Sequence, residues 1–206
     1  MLKLFYADVS CLDSTPEQYI LSEYRKEKLE QLKPADSRRQ GLGAELLLNR
    51  AAASCRPGIA LPLTITVGEY GKPAWDIQGL YFNLSHSDEL AACAVADCAV
   101  GVDVQKACAF PEKLAARYFT EEEYKAILAV EDEGYAFGKL WSLKESYLKA
   151  IGTGIHMPLN SFSVILENGI PGARFWHSFF GGFHFAVCTL GGCSAVPDII
   201  QEIRLP

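Results

Sequence analysis

The sequence predicts an α+β fold made of two similar halves, residues 1–98 and 99–206, with a site in the cleft between them. Three observations carry that prediction. Helix-like periodicity and strand-like alternation occur in both halves. Arg39, Glu45, Leu48 and Asn49 fall opposite Lys139, Glu145, Leu148 and Lys149, an offset of 100 residues. After each of these helical stretches comes a hairpin ending in a small-residue strand, Leu90–Val95 and His184–Cys188. A chain of 206 residues accommodates two units of roughly 100 residues each.

Leu2–Ala7 alternates apolar positions and opens the chain as a strand. Ser14-Thr15-Pro16-Glu17 offers a helix start for a helix over Tyr19–Lys33, and Pro34 separates it from a second helix with Asp36 as N-cap and apolar periodicity over Leu42–Ala53. Pro57 and Gly58 stop that helix. Strands follow at Leu63–Val67, Leu80–Leu84, Leu90–Ala96 and Ala99–Val104, the first two joined through a loop Glu69–Pro73. Pro111 opens a helix to Arg117, and Thr120 followed by three glutamates caps another. A long helix covers Tyr135–Ile151 and ends at Gly152-Thr153-Gly154. The tail reads as strands at Phe162–Leu166, Arg174–Phe179, Phe183–Leu190 and Ile199–Leu205, with turns at Asn168-Gly169 and Gly181-Gly182.

The formal net charge of −6 excludes a general attraction to nucleic acid or to an anionic membrane, so an anionic ligand must be held by a local basic patch. Seven cysteines, an odd number without a C-x-x-C pair, sit largely in apolar runs; they read as reduced core thiols of a cytoplasmic protein. Met1–Ser10 reads as a strand rather than a signal peptide, and no apolar run approaches a membrane span.

Five constellations can carry chemistry. On the long helix Glu145 and Lys149 lie one turn apart on one face; alone, such a pair is usually a surface ion pair, but Trp141, Tyr147 and Leu148 place it against a core. Asp103 follows an apolar strand segment, at the kind of strand end where ligand sites gather. Two carboxylates of this kind can hold Mg²⁺, which takes one or two of them together with substrate phosphates. Ser85-His86-Ser87 ends a strand with donors suited to phosphate oxygens. Gly71-Lys72-Pro73 is a tight loop with one cation, and the stretch Arg25 to Arg39 gathers six cations among interleaved acids.

The order of these motifs, G-K-P, F-N-L-S-H-S, G-V-D-V, then W-S-L-K-E-S-Y-L-K-A-x-G-x-G, resembles the 4′-phosphopantetheinyl transferase superfamily, in particular its larger pseudo-dimeric type. The resemblance implies transfer of the phosphopantetheine arm of coenzyme A to a serine of an apo carrier protein, releasing adenosine 3′,5′-bisphosphate. It implies that Asp103 and Glu145 bind Mg²⁺, with Mn²⁺ as a substitute, and that Lys149 contacts the attacked phosphate. Ser85 and His86 would hold the pyrophosphate, Lys72 and Pro73 would border the adenine, and Lys28 and Arg39 are candidates for the 3′-phosphate. Glu145 is the nearest candidate base for the carrier serine. Gln105 stands where many relatives have a second acid and could ligate through its carbonyl oxygen, a departure that admits a coenzyme A- or carrier-binding homologue with impaired catalysis. The segment just after the Asp103 strand, with Phe110, Lys113, Leu114, Arg117 and Phe119, is the expected carrier dock. Internal duplication implies a monomer.

Overall fold

Leu2–Asp8 forms β1 in a computed structural model that describes residues 1–165 and 169–206, Ile155 by its backbone alone. Both faces of β1 are covered: Phe5 and Ala7 join one apolar cluster, Leu2 and Leu4 another. The first helix, α1, is Glu23–Gln31, shorter than the sequence periodicity predicts, and a 3-10 turn at Pro16–Gln18 precedes it. Ser22 sets the boundary, because its hydroxyl accepts from the Arg25 N–H and starts the helix there. The second helix, α2, runs over Ala35–Cys55 with Pro34, not Asp36, at the N-cap position. Asp36 instead occupies the first turn, where the helix dipole favours an acid, and pairs with Arg39 at 3.0 Å.

Two short strands, β2 (Ile65–Val67) and β3 (Pro73–Trp75), form a hairpin where the sequence suggests one strand and a loop. Gly71, at φ 83°, turns it. Next come β4 (Tyr81–Ser87), β5 (Leu90–Ala96) and β6 (Val100–Lys106). Helices α3 (Glu112–Tyr118) and α4 (Glu121–Leu128) follow, the second opened by the capping box of Thr120 and Glu123. The long helix α5 spans Glu133–Ile151 and stops at Gly152, whose φ of 78° suits glycine.

The expected strand at Phe162–Leu166 is not formed up to residue 165: the Val164 N–H goes to the Glu123 carboxylate at 2.9 Å instead of a ladder partner. Leu166 and Asn168 lie outside the described residues. The tail supplies β7 (Ala173–Phe180), β8 (Phe183–Leu190) and β9, which pairs only over Ile199–Glu202.

One sheet has the order β4-β5-β1-β9 and the other β6-β8-β7. Each half therefore repeats one plan: a strand, a long helix, and a hairpin whose second strand pairs with the first strand, giving β4-β5-β1 and β7-β8-β6. Helix α2 covers the outer face of the first sheet through Leu47, Leu48 and Ala51. The inner faces of the two sheets meet through Leu2, Leu4, Ala92 and Ala94 against Val102, Val104, Phe185 and Val187. Burying each leucine, valine and phenylalanine stabilises by about 1.5–3 kcal/mol, so this shared cluster ties the halves together. Among the described residues no helix is long and apolar enough to cross a membrane.

Candidate active site

Gly101 and Asp103 lie on the same face of β6, two residues apart. A Cβ at Gly101 would stand 2.0 Å from the Ser146 carbonyl oxygen and 2.4 Å from the Ala150 nitrogen, so only glycine lets the α5 backbone approach the strand this closely. That approach brings the Lys149 ammonium to Asp103. Asp103 sits within β6, in the strand the sequence predicts over Ala99–Val104, and is 5% exposed.

Lys149 Nζ donates to Asp103 Oδ1 at 2.6 Å and to Ser85 Oγ at 2.8 Å, while the Ser85 hydroxyl donates to Asp103 Oδ1 at 2.9 Å. The Glu145–Lys149 surface pair is replaced by a bond from helix to strand. Asp103 Oδ2 is buried and has no hydrogen-bond partner among the described residues. Burial raises the Asp103 carboxyl above its ordinary range, opposed by the charge and hydrogen bond of Lys149 and by Ser85. Glu145 is raised too, first by burial and then by the negative charge of Asp103, with Lys149 opposing. An orphaned carboxylate oxygen beside a second, mutually repelling carboxylate is a donor set that fits a hard divalent cation. Gln105 shares this face of β6, and its amide nitrogen donates to the Lys106 carbonyl at 3.3 Å.

His86 stands exposed at the end of β4. Desolvation by the surrounding protein, then the charges of Lys149 and Arg25, hold its pKa below the ordinary histidine range. The Arg25 charge thus acts on His86, a coupling that residue spacing did not single out. The only sequence signal was its place in a basic stretch, whereas its position depends on Glu45 of α2, 3.7 Å from its Nε. Lys28 is exposed, its ammonium 5.9 Å from the Tyr24 ring. Arg39 donates to the Ser10 carbonyl and pairs with Asp36, facing a cavity that also holds Asp88 and Glu89. Among the described residues, neither contacts the Asp103 cluster.

Lys72 Nζ donates to the carbonyls of Val100, at 3.1 Å, and Ala150, at 2.9 Å, tying the β2–β3 hairpin to the end of α5. Burial lowers its pKa to about 8. Lys72 and Pro73 line a cavity of about 740 Å³ together with Trp75, Tyr81, Ala99 and Gly152. A smaller cavity of about 290 Å³ opens beside Glu145, lined by Arg117, Tyr118, Leu148, Met157 and Pro158. Arg117 and Tyr118 also border an open groove with Lys113 and Leu114. Phe119 is 5% exposed and packs on Phe137 and Trp141, so it is a core residue and not a docking residue; Phe110 is half-buried against Phe137.

Lys144, within the same helical motif, is 1% exposed and donates to Glu123 at 2.6 Å and to the Phe162 carbonyl. It holds α4 and the following loop to α5 and plays no part in the cleft. The cysteines are all unpaired among the described residues. Asp97, Cys98 and Cys193 bring ligand atoms within 4.8 Å of one another. Asp97 is engaged by the Met1 amine at 2.6 Å, and burial with a bond to Cys193 pushes the Cys98 thiol up to about 12, which disfavours a thiolate ligand there.

Asp103, Glu145 and Lys149 thus stand together beside the edges of the two sheets, with the charge of Arg25 acting on the nearby His86. Residues 99–195 match the 4′-phosphopantetheinyl transferase superfamily. The chain is 32% identical over 151 residues to a 4′-phosphopantetheinyl transferase of Bacillus subtilis, an alignment covering 72% of this chain and 67% of that one. It is 43% identical over 96 residues to the 4′-phosphopantetheinyl transferase gsp of Aneurinibacillus migulanus, covering 46% of this chain and 40% of the relative. Over 102 residues it is 39% identical to the 4′-phosphopantetheinyl transferase Sfp of Bacillus subtilis (strain 168), covering 48% and 46%. The match thus spans less than half the length of two of these relatives and two thirds of the third. The chain belongs to the 4′-phosphopantetheinyl transferase superfamily.

Proposed function

We propose that the chain transfers the 4′-phosphopantetheine arm of coenzyme A to a serine of an apo carrier protein, with Mg²⁺ or Mn²⁺ held by Asp103 and Glu145. The observation that carries this reading is Asp103 Oδ2, a buried carboxylate oxygen without a partner among the described residues, beside a second carboxylate and a lysine. In the reaction the serine oxygen forms a bond to the phosphorus bearing the pantetheine arm. The bond from that phosphorus to the bridging oxygen breaks, and adenosine 3′,5′-bisphosphate leaves. When bound, the cation neutralises charge on the pyrophosphate and eases departure of the leaving group.

The chain's own residues divide the remaining work. Lys149 offers its ammonium to the attacked phosphate, where negative charge develops. His86 and Arg25 supply the basic wall for the pyrophosphate, and Ser85, whose single proton is already given to Asp103, orients the carboxylate instead. Glu145, the carboxylate that lines the cavity leading from the carrier groove, receives the serine proton. Lys72 holds the hairpin wall of the large cavity, in which Pro73 would border the adenine. Lys28 and Arg39 remain the candidates for the 3′-phosphate, reached only if Arg39 leaves Asp36. Gln105, on the same face of β6 as Asp103, is the candidate for a third ligand through its carbonyl oxygen.

The carrier is received at the groove of Lys113, Leu114 and Arg117, which runs through Tyr118 to the cavity at Glu145. A basic and apolar surface of that kind complements the acidic helix carrying the serine. The repeated strand–helix–hairpin plan supports a pseudo-dimer acting as a monomer with one cleft site per chain, and the unpaired cysteines suit the cytoplasm. Incubation with coenzyme A, Mg²⁺ and a panel of apo carriers, followed by weighing the carriers, tests the proposal. A gain of one phosphopantetheine that disappears with a chelator is expected; no gain on any carrier overturns it.

A further inference from the structure

Where the two sheets touch beside the site, β4 and β6 are each the edge strand of its own sheet, and no backbone ladder joins them. Alternate N–H groups of an edge strand point away from its partner and need acceptors. In β6 they find them on three alternate side chains of β4. The Val102 N–H donates to Asn83 Oδ1 at 2.9 Å, the Val104 N–H to Ser85 Oγ at 3.2 Å, and the Lys106 N–H to Ser87 Oγ at 3.1 Å. Each pair is separated by the same 19 residues, so the row keeps a single register along its length.

We infer that Asn83 and Ser87 are positioning residues that lock β6 along β4 and thereby hold Asp103 in its ligand geometry. Ser85 is the middle peg of the row. Its hydroxyl has one proton, given to Asp103 Oδ1, and its oxygen accepts from Val104 and from Lys149, so its bonding capacity is full. Any slide of β6 along β4 breaks these bonds together with the flanking ones at Asn83 and Ser87. Asn83 is 5% exposed, which leaves its acceptor oxygen no water to exchange for Val102. The Phe82 and Leu84 side chains, on the opposite face of β4, anchor the strand in the cluster beneath α2 and give the row a rigid base. Asn83 and Ser87 thus act on the ion through the strand that carries its ligand.

The inference rests on Asp103 as a cation ligand, and the experiment separates the two. Asn83→Ala, Ser87→Ala and Ser87→Thr are made in the full chain. Mg²⁺ binding is followed by calorimetry, and amide exchange at Val102, Val104 and Lys106 by NMR. The Mg²⁺ dissociation constant should rise about tenfold in Asn83→Ala and Ser87→Ala, the usual scale for outer-shell changes, and return to within about twofold in Ser87→Thr, which keeps the hydroxyl. Exchange at Val104 should accelerate in Asn83→Ala although its own acceptor is untouched. Faster exchange confined to Val102, or a lower melting temperature with unchanged Mg²⁺ affinity, makes the row merely structural and overturns the inference. Should the unaltered chain bind no Mg²⁺, the functional reading fails, and exchange at Val104 still decides whether the row acts as one lock.

Discussion

Glu45 and Glu145 occupy matching places on the two long helices, 100 residues apart, and the two halves have used them in opposite ways. Glu45 is 1% exposed; it accepts the Ser22 N–H at 2.9 Å and lies 3.7 Å from Arg25, so it fastens the start of α1 to α2. Glu145 lines an open cavity, raised by burial and by Asp103. Four residues on, Asn49 donates to the Ile20 carbonyl, whereas Lys149 reaches a carboxylate on the facing strand. One residue before, Ala44 is a buried methyl while Lys144 is buried on Glu123. The same backbone plan thus yields a sealed polar joint in one half and one open to a cavity in the other. What decides is the covering element: α1 lies over Glu45, while the second half leaves space beside Glu145. Glu45 also lies beside Arg25, whose charge helps lower the pKa of His86.

Four measurements would break or sharpen this contrast. Lys144→Ala should cost about 3–5 kcal/mol by denaturant midpoint, because it leaves the fully buried Glu123 carboxylate unpaired. Ala44→Gly, the matching position of the first half, breaks no ion pair, and its expected loss is confined to roughly 1 kcal/mol of helix propensity plus a lost methyl contact. Glu145→Gln or Lys149→Ala should lower transfer by about 10²–10³-fold, the scale of a lost transition-state contact, with the fold intact by circular dichroism. Glu45→Ala should do the reverse, losing about 1–3 kcal/mol of stability through the stranded Ser22 N–H while keeping the turnover number at saturating coenzyme A.

The smallest effect is a pH dependence. His86 has a depressed pKa in the folded chain, so its share of stability is present above the unfolded value near 6.5 and is lost as pH falls through the lower folded value. Pyrophosphate beside it should pull that pKa back up. Coenzyme A binding should therefore take up a fraction of a proton below about pH 6.5, visible as a buffer-dependent binding enthalpy. His86→Asn should abolish the uptake.

Much of this architecture was legible in the residues themselves. Thr120 and Glu123 spelled the capping box of α4, Gly152 the end of α5, and Leu90–Ala96 and Phe183–Leu190 read as strands at the lengths they have. The ordered motifs singled out Asp103, Glu145 and Lys149, which β6 and α5 bring close together. What stayed hidden depends on contacts between distant segments. Nothing local in Arg25 shows that Glu45 lies beside it, nor in Ser85 that its proton is spent on Asp103. Phe119 carries the same local pattern as a docking residue, and only the packing of Phe137 and Trp141 makes it core. Helix α1 begins later than its periodicity suggests because Ser22 is bound by a residue 23 positions away.

The central claim, that one glutamate of the pair carries the chemistry and its counterpart does not, meets its most direct test in a single mass measurement. Apo carrier is incubated with coenzyme A, Mg²⁺ and either the unaltered chain, Glu145→Gln or Glu45→Gln, all shown to be folded, and the carrier is weighed over time. A gain of one phosphopantetheine at comparable rates with the unaltered chain and Glu45→Gln, and a gain slowed by about 10²–10³-fold with Glu145→Gln, is the predicted result. Equal rates for all three, or equal loss in both variants, would contradict it.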